Sequence, residues 1–77
     1  MNAGSKLIMM ANQIARNLSA RGTDMAIEET RAHLLKFWSP KMRANLIRLA
    51  TTPEGETLND VARQAVDKLA IQKDENA

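Results

Sequence analysis

The side chains able to do chemistry are few, and His33 is the only imidazole among them. At helical spacing its neighbours are Glu29, Thr30, Lys36 and Phe37. A His–Glu pair one turn apart can serve as acid and base when both groups converge on a substrate. A lone His with no second ligand or orienting group reads more simply as an ordinary helix residue. The chain has no cysteine, which removes thiolate nucleophiles, iron–sulfur ligation and most structural zinc sites. No His-x-x-x-His pair, acidic calcium loop or glycine-rich phosphate loop is present, and Gly4, Gly22 and Gly55 stand alone. The expectation is a chain with no catalytic, metal or cofactor-binding residues.

Charge is uneven. The net charge is +2, but residues 31–48 carry Arg31, Lys36, Lys41, Arg43 and Arg48 with no acid, and residues 49–77 carry six acids against three bases. Such a basic middle can steer a protein onto a charged surface. The segment 36–48 also permits a second reading, a small nucleic-acid-binding regulator resembling a helix-turn-helix, with Lys41, Arg43 and Arg48 on phosphates. The short turn and low total charge speak against it.

The elements that would position these residues are all helical. Leu7, Ala11, Ile14 and Leu18 recur on one face and predict a first helix over 6–18, capped by Ser5. Met9, Asn12, Gln13 and Arg16 fall opposite. Ser19–Gly22 breaks the helix. A second helix is predicted over 24–38, capped by Thr23 or Asp24, with Ile27, Leu34 and Trp38 on its inner face. Met25, Ala32 and Leu35 form a second apolar strip, which offers a third reading, burial in a homodimer.

Ser39-Pro40 is the sharpest local signal. Proline disfavours the helical region for the residue before it, yet suits the first position of a new helix. A third helix is therefore predicted over 40–50, with Met42, Leu46, Leu49 and Ala50 inward and Ser39 as its cap. Pro53 and Gly55 mark a loop, and Thr57 to Asp60 reads as a capping-box variant. A fourth helix follows to about residue 72, with Leu58, Val61, Ala62, Ala65, Val66 and Leu69 inward. The expected fold is all-α: one domain over 1–77, four short helices, a sharp Ser-Pro bend between the second and third, and frayed ends at 1–5 and 73–77.

A core of this size supplies on the order of a few kcal/mol, and bound partners add stability by mass action. Phe37 and Trp38 are the only large rings. Adjacent helix residues sit about 100° apart, so either both straddle the core or part of one is exposed as an interface anchor. No secretory signal or membrane-spanning stretch stands out, since the apolar run after Lys6 stops at Asn12. This points to the cytoplasm and away from membranes.

Two segments carry a resemblance. Met10-Ala11-Asn12-Gln13-Ile14-Ala15 and Ala32-His33-Leu34-Leu35-Lys36-Phe37-Trp38-Ser39-Pro40-Lys41-Met42-Arg43 resemble the delta subunit of soluble NAD-dependent formate dehydrogenase. Leu58, Val61 and Ala65 match the spacing of that family's last helix, so the likeness runs from about Leu7 to Leu69. Ser39 stands where the family often has Asp, Lys41 where Arg is common, and Asn17-Leu18 where an aromatic pair is expected.

The resemblance implies a non-catalytic accessory subunit that binds no cofactor. Its partners would be a large molybdenum-containing catalytic subunit, a flavin (FMN) subunit and an iron–sulfur subunit, which together oxidise formate and reduce NAD. Its role would be assembly, stability or retention of the molybdenum cofactor. Expected partner contacts are Asn12 and Gln13, which lie off the core face without a structural need, then His33, Lys41 and Arg43 around the bend. Trp38 is the expected anchor, and Pro40 fixes the bend.

Overall fold

A computed structural model describes residues 3–75, with side chains described for 4–71. Residues 1–2 and 76–77, part of the ends expected to fray, lie outside the described residues. The fold is all-α. Helix α1 spans Ala3–Leu18, α2 Thr23–Phe37, α3 Pro40–Leu49 and α4 Asp60–Glu75, with 3₁₀ turns at Ser19–Arg21 and Pro53–Thr57. Helices α1 and α4 thus extend into 3–5 and 73–75. The domain measures 31 × 30 × 20 Å. Helix α2 packs chiefly on α4, α1 touches all three other helices, and α2 and α3 hardly meet beyond their bend.

The core joins Ile8, Ala11 and Ala15 of α1 to Leu34, Trp38, Leu46, Leu49, Leu58, Ala62, Val66 and Leu69. On α1 the buried line is Ile8–Ala11–Ala15, with Leu7 and Ile14 at its edge, so the inner face is rotated from the predicted one. The reason is size. Ala11, Ala15, Ala62 and Ala65 are fully buried, and small side chains allow the helices to approach closely. Leucine outweighs alanine in a hydrophobic pattern, so the pattern pointed to the wrong centre.

Three expected caps move. Ser5 lies inside α1 and its hydroxyl donates to Glu54 Oε2 at 3.2 Å. Helix α2 is capped by Gly22, whose backbone has φ +97°, and neither Thr23 nor Asp24 caps it. That left-handed value favours glycine. Its carbonyl accepts the Ala26 N–H at 2.9 Å. Helix α4 is capped by Asn59, which accepts the Ala62 N–H at 2.8 Å, while Thr57 closes the preceding 3₁₀ turn. Ser39 does cap α3, accepting the Met42 N–H at 3.1 Å.

Gly55 is buried where a Cβ would lie 2.5 Å from the Ala50 carbonyl oxygen. Only glycine lets the Pro53–Thr57 turn fold against the end of α3. The ion pairs, Arg21–Glu29 at 3.0 Å, Arg31–Glu28 at 2.8 Å and Lys68–Glu28 at 3.3 Å, lie at the surface, where such pairs contribute little.

Candidate docking surface

The bend between α2 and α3 is built by two residues. Trp38 N–H still donates to Leu34 O at 3.1 Å, but its backbone has left the helical region, at φ −93° and ψ 144°. Ser39 is extended too, as the residue before proline must be. Pro40 then opens α3, where its missing N–H costs nothing.

This geometry separates the two rings. Trp38 continues the buried line of Ile27 and Leu34 and is 6% exposed, whereas Phe37 is 66% exposed. The expectation of Trp38 as surface anchor is therefore corrected: its ring is core. The exposed ring is its neighbour. His33 stacks on Phe37 with ring centroids 4.8 Å apart and planes tilted by 44°, and Lys36 Nζ sits 5.6 Å from the Phe37 centroid. That distance suits a cation–π contact. Pro40 and Lys41 are exposed beside this cluster in sequence, and His33 is half-buried.

Arg43 points back into the fold. Its Nη1 donates to Leu35 O at 2.9 Å, to Leu34 O at 3.4 Å and to Trp38 O. These carbonyls lie at the end of α2, where helix geometry leaves acceptors such as Leu35 O without helical partners, while Leu34 O also accepts the Trp38 N–H. Arg43 is thus a clamp on the bend, and an Arg43→Glu change would damage that clamp before it tested any contact.

Asn12 also has a structural task, contrary to the expectation from the sequence. Its Oδ1 accepts the Asn59 N–H at 2.8 Å and its Nδ2 donates to Thr57 O at 2.9 Å. Asn59 Nδ2 donates in turn to Asn12 O at 3.2 Å. Gln13 is exposed on α1. The structure therefore brings His33 and Lys36 onto Phe37, with exposed Pro40 and Lys41 following in sequence beyond the bend. It turns Trp38 and Arg43 inward and places Asn12 in a separate polar joint.

One exposed ring of the Phe37–Trp38 pair was expected, but it is Phe37 and not Trp38, and Lys36 was not expected as its neighbour. A signal existed: Ile27, Leu34 and Trp38 share one helical line and Phe37 does not. Elsewhere in the basic segment, Arg31 pairs with Glu28, and Arg48 donates to Asn45 Oδ1 at 3.1 Å. Glu29, one turn before His33, is taken by Arg21. Among the described residues no group of three or more His, Cys, Asp or Glu is placed to hold a metal ion. No helix is long and apolar enough to cross a membrane.

These features define a small helical protein whose polar side chains mostly hold its own joints, with one aromatic and basic corner left facing solvent. The family model described as NADH-dependent formate dehydrogenase delta subunit, FdsD, matches residues 6–66. The chain belongs to that family. As a delta subunit it has partner subunits in a formate dehydrogenase complex. No curated protein and no solved structure gives a match.

Proposed function

We propose that this chain is a non-catalytic accessory subunit that docks, in the cytoplasm, on the large molybdenum-containing subunit of a formate dehydrogenase. There it supports assembly, stability or retention of the molybdenum cofactor. The cofactors of the reaction (molybdenum cofactor, iron–sulfur clusters, FMN and NAD) belong to the other subunits.

One observation carries the docking site: Phe37 is 66% exposed in a chain with only one other large ring. Solvated aromatic surface of that kind suits an interface centre, where aromatic side chains contribute most. His33, Pro40 and Lys41 surround it as contacts, with exposed Gln13 a further contact on α1. Trp38 and Arg43 hold this surface in shape, and Asn12 ties α1 to the start of α4.

Co-expression with the other subunits tests the reading. The tagged wild-type chain should bring down the large subunit, and Phe37→Ala should bring down less while keeping its helical circular dichroism. Omitting the chain should lower the molybdenum content or the lifetime of the complex. Failure of the wild-type chain to retain any formate dehydrogenase subunit would refute the proposal.

A further inference from the structure

We propose that the α2–α3 corner receives an acidic segment of the large subunit, its carboxylates on Lys36 and Lys41 and an apolar side chain against Phe37. The inference rests on the docking reading above and adds the chemistry of the partner.

Charge carries it. All nine acidic residues lie outside 31–53, so the second half of α2 and the whole of α3 contain none. The bases in that stretch fall into two groups. Arg31 is paired to Glu28, Arg43 is bound to the carbonyls of Leu34, Leu35 and Trp38, and Arg48 donates to Asn45. Lys36 and Lys41 are exposed, and among the described residues neither forms an ion pair. They bracket the bend in sequence, one on the last turn of α2 and the other on the first turn of α3. Lys36 already lies 5.6 Å from the Phe37 ring centre. A carboxylate can meet its ammonium while the ring keeps a free apolar face for a neighbouring side chain.

Two other occupants fit less well. Nucleic acid places a phosphate charge about every 1.7 Å of duplex and is held by several bases at once, whereas only Lys36 and Lys41 flank the bend here. A second copy of this chain would have to offer its remaining acids, Glu56, Asp60 and Asp67 among them, because Glu28 and Glu29 are engaged by Arg31, Lys68 and Arg21; sedimentation decides that case.

The test compares two charge-matched double variants, Lys36→Glu with Lys41→Glu, and Lys6→Glu with Arg16→Glu on α1. Each is checked for wild-type circular dichroism and melting, then added to purified complex lacking this subunit. Association is followed at rising sodium chloride. Steering by opposite charge gives rates that fall with salt and with charge reversal at the contact. We expect the corner variant to associate at least about tenfold more slowly and to lose its salt dependence, with the α1 variant within about twofold of wild type. Phe37→Ser should speed dissociation and leave the salt slope unchanged.

Equal loss in both double variants, or no loss in either, would overturn the acidic-segment inference and leave the accessory-subunit reading standing. So would binding of the corner to mixed-sequence DNA or to a second copy in sedimentation, if charge reversal at Lys36 and Lys41 removed it. Absence of wild-type binding to the complex would instead overturn the accessory-subunit reading itself.

Discussion

Asn12 and Asn59, 47 positions apart, hold each other by two hydrogen bonds, from Asn59 N–H to Asn12 Oδ1 at 2.8 Å and from Asn59 Nδ2 to Asn12 O at 3.2 Å. The same Asn59 side chain caps α4 through the Ala62 N–H. One asparagine pair therefore sets where α4 begins and where on α1 it begins.

Replacing Asn12 by Ala should cost about 1–3 kcal/mol, because the Asn59 N–H and the Thr57 carbonyl lose their partner. Urea denaturation of the two single alanine variants and the double variant measures this. The pair should show a coupling of at least about 0.5 kcal/mol. Simple additivity would mean that the two residues act independently.

Trp38 and Phe37 should separate cleanly. Trp38→Ala empties a core position and should cost about 3–5 kcal/mol, enough to unfold much of so small a domain. Phe37→Ala removes a ring that is mostly in water and should change stability by about 0.5 kcal/mol or less. Thermal melts check both. A large loss at Phe37 would mean that its stacking on His33 holds the end of α2.

Thr30 is fully buried, and among the described residues its hydroxyl has no hydrogen-bond partner. An unsatisfied buried hydroxyl costs about 1–3 kcal/mol. Thr30→Val keeps the shape and deletes the polar atom. It should raise the melting temperature by about 4–8 °C for each kcal/mol gained in a domain of this size. A lower melting temperature would overturn this.

Glu28 accepts hydrogen bonds from Arg31 and Lys68, which hold its carboxyl below the ordinary 4.5. A value lowered by folding means that the stabilisation is complete above the unfolded carboxylate's range and fades as acid is added through it. The stability gap between wild type and Glu28→Gln should therefore be widest at neutral pH and close in acid. It should also shrink in high salt, because Glu28 and Lys68 are exposed. A gap independent of pH would show that the ion pairs contribute nothing.

The helices themselves were legible because each carried periodicity and punctuation: Gly22 stopped the first run, Ser39-Pro40 divided the next two, and Pro53 with Gly55 preceded the last. The bend was the most readable feature, since proline acts on the backbone directly and locally. What the sequence hid was long-range. Asn12 looked superfluous because its partners, Thr57 and Asn59, are more than forty positions away. Arg43 looked like a surface charge because the carbonyls it serves belong to the backbone, which leaves no trace in residue types. Ala15 was undervalued because close packing rewards smallness, and hydropathy does not. Phe37 against Trp38 was legible, since only Trp38 lies on the helical line of Ile27 and Leu34.

The Arg43 clamp has a consequence for recognition. Because one guanidinium on α3 holds the last carbonyls of α2, the elbow is rigid before anything meets it. A visitor to that corner finds a finished mould, and no entropy need be spent setting the angle at the moment of contact. Loosening the clamp should then appear as faster departure and a larger heat-capacity signature on association, because Arg43 Nη1 is engaged by the carbonyls of its own bend.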